Sequence, residues 1–125
     1  MIVNYHENEF AQFWIQNDIL YFEYKPNVVI NLKAAQLVVA DRILVQNEIA
    51  YPVLCDIRGI VDSDKAARDY LAQSGSVLTK AVSLLGNDTV LLSIMSFYIG
   101  INKPRVPTKI FTEELAALAF LETYT

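Results

Sequence analysis

At 125 residues with one cysteine, the chain has the length of a single domain and cannot build a disulfide framework. A net charge of −4 and a pI near 4.8 argue against a nucleic-acid binder, which carries a basic stripe. Hydrophobic residues make up 54% and charged residues 19%, so part of the apolar content is expected to lie in a subunit contact or a ligand pocket.

Phe10–Gln16 and Ile19–Tyr24 are aromatic-rich runs that favour strands. Asn17-Asp18 between them tolerates the positive φ of a two-residue turn, which predicts a β-hairpin. Pro26 ends the second strand. Asn31 is a candidate N-cap for a helix over Leu32–Gln46, with Ala35, Val39 and Ile43 on its core face and Val38 and Leu32 beside them. Asn47 closes that helix.

Tyr51–Ile57 is apolar up to Asp56, as a central strand covered on both faces would be. Gly59 permits a bend, and Asp62, Ser63 and Asp64 are candidate N-caps for a helix over Lys65–Gln73. Asp64/Arg68 and Lys65/Asp69 are spaced as i,i+4 pairs. Ala81–Leu85 reads as a strand.

Thr89–Ile101 is apolar nearly all round and predicts a helix. Thr89, Ser93, Ser96 and Gly100 form a stripe of small residues on it. The segment reads either as a core helix or as an outward apolar face formed by Ile94, Phe97, Tyr98 and Ile101. That face would be a dimer contact or a lid over a lipid-like ligand. Thr108–Phe111 is a short strand. Thr112 is the expected cap of a last helix, with Leu115, Leu118, Ala119 and Leu121 facing the core.

The order β-β-α-β-α-β-α-β-α predicts an α/β domain spanning residues 1–125. It has a mixed, mostly parallel sheet with an N-terminal hairpin and about four flanking helices. Ligands of such sheets bind beyond the carboxyl ends of the strands. That directs attention to Asp56, Arg58, Asp62, Ser63, Asp64 and Arg68 as partner- or ligand-binding residues.

The pattern resembles the small bacterial STAS, or sporulation anti-anti-sigma, fold, and more closely an uncharacterised STAS/SEC14-like group. The resemblance rests on Tyr24-Lys-Pro26, Pro52-Val-Leu-Cys-Asp-Ile-Arg-Gly59, Ala67-Arg68, Asn102-Lys-Pro-Arg-Val-Pro107 and the closing Ile110–Leu121. It implies a STAS-like fold and a role in binding rather than catalysis. In anti-anti-sigma members, a serine at the start of the helix after the central strand is phosphorylated and releases a kinase partner. The corresponding stretch here is Asp62-Ser63-Asp64-Lys65, without the second serine and the glycine of that motif. Asp62 and Asp64 would oppose a phosphate on Ser63, which reads as an N-cap.

Elements of catalysis are sparse. His6, the only histidine, sits in an N-terminal segment expected to be loosely held at the surface, away from any triad. One histidine and one cysteine do not suit zinc, and the four glycines form no phosphate-cradling loop. Asp56, Asp62 and Asp64 read as capping and salt-bridging groups rather than a magnesium site. Lys103, Arg105 and Lys109 read as a solvated loop. Cys55 reads as a small core hydrophobe.

The expectation is a non-enzymatic regulatory or scaffold module, without metal or cofactor, that binds a protein partner and forms a homodimer. The alternative is a SEC14-like carrier of a small apolar ligand. Met1-Ile-Val-Asn-Tyr-His-Glu carries no basic, apolar leader, and no run is long enough to span a bilayer, so a cytoplasmic location is expected.

Overall fold

A computed structural model describes residues 2–87 and 98–125. Its main sheet has six strands in the order β1-β2-β3-β5-β7-β8. They are β1 Val3–Glu7, β2 Ala11–Gln16, β3 Ile19–Tyr24, β5 Tyr51–Asp56, β7 Thr79–Leu85 and β8 Thr108–Phe111. The first three pair antiparallel and the last four parallel. β4 (Val28–Ile30) and β6 (Ile60–Ser63) form a separate parallel pair. Among the described residues the α-helices are α1 (Leu32–Gln46), α2 (Lys65–Gln73) and α3 (Glu114–Glu122).

The expected mixed α/β architecture is present, and local chemistry explains its landmarks. Asn17 and Asp18 adopt φ of 52° and 63°, the left-handed pair that a two-residue hairpin turn requires. Asn31 accepts the Ala34 N–H at 2.8 Å and caps α1, and Asn47 closes it at φ 51°. Pro52 lies in central β5, where proline is normally excluded. The β5–β7 register shifts between Tyr51 and Val53, so the missing N–H falls at an irregularity of the ladder.

The sheet buries two faces. Phe13, Leu20, Phe22 and Val53 pack with Ala35, Val38 and Val39 of α1 and Ala67 of α2. On the other face Ile19, Leu54, Ala81 and Leu85 pack with Ala117 and Leu121 of α3. Alternation along the strands produces this division. Trp14 stacks on Tyr21, with centroids 5.4 Å apart, and Tyr21 in turn packs against the cluster that includes Ala117 and Leu121 of α3.

Several sequence expectations need correction. The N-terminal segment is not loose: Val3–Glu7 is a strand on β2, and the His6 ring lies 5.1 Å from Phe13 with Nε2 3.5 Å from Asp41. Leu32 is 38% exposed, and the core stripe of α1 continues instead through Arg42 and Gln46. Thr112 does not cap α3; Glu113 occupies that position without a side-chain bond. α3 turns Ala117, Leu118 and Leu121 inward and leaves Leu115 83% exposed and Ala119 exposed. A helix apolar on every side carries no phase signal, so the sequence does not distinguish its inward face.

The helix expected over Thr89–Ile101 lies mostly outside the described residues, as do Ile94, Phe97 and the Tyr98 side chain. Tyr98–Asn102 forms a π-helical turn, and Ile101 is exposed. Among the described residues, no helix is long and apolar enough to cross a membrane.

Candidate functional site

A cavity of about 550 Å³ opens on the sheet face that carries α1 and α2. Phe22, Val53, Cys55, Val82 and Leu84 form its floor, each pointing from β3, β5 or β7 to the same side. Val38, Val39 and Arg42 of α1 form one wall, and Arg68 and Leu71 of α2 another. Ile60, Val61, Asp62 and Ser63 of β6 form part of its rim.

This arrangement divides the residues singled out from the sequence. Asp62, Ser63 and Arg68 meet at the cavity, where Arg68 Nη1 donates to the Ser63 carbonyl at 2.5 Å and to Ser63 Oγ at 3.2 Å. Asp56 and Arg58 lie elsewhere. Asp56 shares the face of Leu54, which packs on α3. Its carboxylate accepts Arg58 Nε at 2.9 Å, Nη2 at 2.6 Å and the Arg58 backbone N–H at 3.0 Å. That hydrogen bond holds the Arg58 guanidinium above its ordinary pKa, against the opposing effect of burial.

Asp64 is occupied locally. Its carboxylate accepts the Ala67 N–H at 2.8 Å and caps α2. Ser63 is therefore not the N-cap but the last residue of β6, and the expected Asp64/Arg68 pair is replaced by Arg68 on Ser63. The Lys65–Asp69 pair forms at 2.7 Å. Lys65 and then Asn102, whose amide donates to Asp69 at 2.5 Å, hold that carboxyl below its usual range.

Asp56, Asp62 and Asp64, read from the sequence as capping and salt-bridging groups, serve separate local partners: Arg58, the Ser63 N–H and the Ala67 N–H. Among the described residues no three His, Cys, Asp or Glu side chains are gathered for a metal ion. Cys55 lines the cavity, and burial pushes its thiol up to about 12, so it stays protonated at neutral pH. The basic loop is dispersed: Arg105 donates to Gln73 at 2.7 Å, and Lys109 lies 5.1 Å from the centre of the Phe120 ring.

Sequence reasoning missed Arg42 and Gln46, which are 4% and 1% exposed. Arg42 donates to Gln46 Oε1 and to the Gly75 carbonyl, the latter at 3.0 Å. Gln46 donates to the carbonyls of Ile49 at 3.0 Å and Leu78 at 2.7 Å. The signal was available: positions 35, 38, 39, 42 and 46 lie on one helical stripe, so a polar residue at 42 or 46 falls among apolar ones.

The fold has a solved counterpart. A crystal structure of an uncharacterized protein of the DUF3478 family from Shewanella loihica PV-4, described as having a SpoIIAA-like fold, superposes with a TM-score of 0.63. The match covers 93% of this chain and 98% of that one at 14% identity, a likeness of fold alone. It agrees with the STAS-like resemblance carried by the sequence. No curated protein matches the chain significantly. Residues 13–125 match the family described as Domain of unknown function (DUF7793), and the chain belongs to that family.

Proposed function

We propose that the domain is a non-enzymatic binding module that holds a small apolar ligand between the sheet and helices α1 and α2. The cavity carries this reading. Its volume of about 550 Å³ lies within the range of small-molecule sites, roughly 300–1,000 Å³. Its floor and walls are apolar side chains with a few polar groups, Arg42 and Arg68 among them, as ligand pockets commonly are. This ranks the carrier alternative above a purely protein-binding scaffold.

A protein partner fits the same site as a reader of occupancy. Asp62, Ser63 and Arg68 lie at the cavity, and Val61 and Val29 on the adjoining two-stranded sheet are 60% and 54% exposed. Apolar surface beside charged groups is the composition of a contact patch. Homodimerisation through the region of Ile101 is a separate proposal, to be decided by light scattering of the purified chain.

The experiment for the cavity is titration with Nile red, a neutral apolar dye, on wild type and on a cavity-filling Val82→Trp variant. The reading predicts saturable one-to-one binding that Val82→Trp abolishes while its circular dichroism is retained. Non-saturable binding, or binding unaffected by Val82→Trp, removes it.

A further inference from the structure

The cavity wall holds a charge that no ion pair among the described residues balances. Arg42 is 4% exposed and lines the cavity. A guanidinium presents five N–H donors. Its acceptors are Gln46 Oε1 and the Gly75 carbonyl, both neutral. The ion pairs among the described residues engage His6, Lys25, Arg58 and Lys65, not Arg42. Burial lowers its pKa to about 10, which leaves it cationic at neutral pH. Asp62, the one carboxylate on the described lining, is exposed and accepts the Ser63 N–H at 2.9 Å. A buried cation whose acceptors among the described residues are neutral is costly, and an anion brought to it relieves that cost.

Building on the cavity reading above, we propose that the ligand is an amphiphile with a single carboxylate, its acid group seated on Arg42 and its apolar body along Val53 and Val82. A planar guanidinium recognises a carboxylate through paired donors, and the apolar floor accepts a hydrocarbon body. Arg68 is only partly buried and already turned to Ser63, so it is the weaker receptor of the two arginines.

The test is isothermal titration of the full chain at about pH 8 with decanoate and with 1-decanol, which share a chain length and differ in charge. Wild type is expected to bind decanoate about tenfold or more tightly than 1-decanol. Arg42→Gln is expected to abolish that preference while still binding 1-decanol, and Arg68→Gln to retain it. The wild-type ratio needs no variant, and Arg42→Lys, which retains the charge, keeps a preference if Arg42→Gln does not fold. Equal affinity for acid and alcohol in wild type overturns the assignment of Arg42 and leaves the cavity reading standing. A preference lost in Arg68→Gln and kept in Arg42→Gln also overturns it. Binding of neither probe removes the cavity reading and this inference with it.

Discussion

The Gln46 amide donates to the Leu78 carbonyl at 2.7 Å, and Leu78 stands in the left-handed region at φ 59°. A bulky residue rarely adopts that conformation, and buried hydrogen bonds hold it there. The same carbonyl accepts the Tyr51 N–H at 3.2 Å, so the end of α1, the start of β5 and the approach to β7 meet at one point. Gln46→Leu leaves the Ile49 carbonyl and the Arg42 guanidinium each short of a partner. We expect a loss of about 2 kcal/mol in urea denaturation, chiefly from the buried Arg42 guanidinium left short of an acceptor, since Ile49 is exposed and water can replace its partner. A loss below about 1 kcal/mol would contradict the network described here.

The start of α2 separates capping from recognition. Asp64→Ala removes the bond to the Ala67 N–H and should cost about 1 kcal/mol. Ser63→Ala should change stability by less than about 0.5 kcal/mol, because among the described residues its hydroxyl meets only Arg68. Thermal melting of the two variants decides this. The reverse ranking would make Ser63 the cap.

The sequence carried the hairpin, α1, α2 and most of the parallel strands, because their start and stop chemistry is local. Asn17-Asp18, Asn31, Asn47 and Asp64 act within a few residues of themselves. The pair β4–β6 was missed because three- and four-residue strands carry too few residues for a period. The Asp56–Arg68 region was legible as a place but not as a geometry. Asp56 and Asp62 are six residues apart yet serve different environments, because β5 alternates its faces and the chain turns into β6 between them. The high apolar content allowed for a ligand pocket, but its position had no sequence signal, since its floor residues are the same Val, Leu, Phe and Cys that fill any core.

Gly59 marks where two segments touch. A Cβ there would sit 2.3 Å from the Lys25 carbonyl oxygen and 2.7 Å from that of Tyr24. Backbone cannot swing aside as a side chain can, so Gly59→Ala should destabilise by about 2–3 kcal/mol. Gly75→Ala meets only ordinary contacts, the nearest 3.6 Å away on Leu71, and should be nearly neutral. Comparable midpoints for the two variants in denaturant would refute the close approach at Gly59.

Cys55 supplies a pH signature. Its folded thiol holds the proton to about 12, against an ordinary value of 9.0. The folded state therefore binds more protons than the unfolded chain between these values, and stability falls as pH rises across that window. At about pH 8 the native thiolate population is roughly a thousandfold lower than in the unfolded chain. Iodoacetamide should label Cys55 rapidly in urea and very slowly in the native protein. Cys55→Ala should flatten the decline in stability above pH 9. Rapid native labelling would show a thiol less buried than described.

The space between the sheet, α1 and α2 is proposed as a ligand site. Native mass spectrometry of the chain purified from its own host, without detergent, addresses it most directly. A ligand site there should yield a discrete small-molecule adduct at one per chain, released on denaturation, that behaves as an apolar acid and is absent from Val82→Trp. A bare protein mass in wild type, together with failure to take up decanoate or 1-decanol, would contradict it.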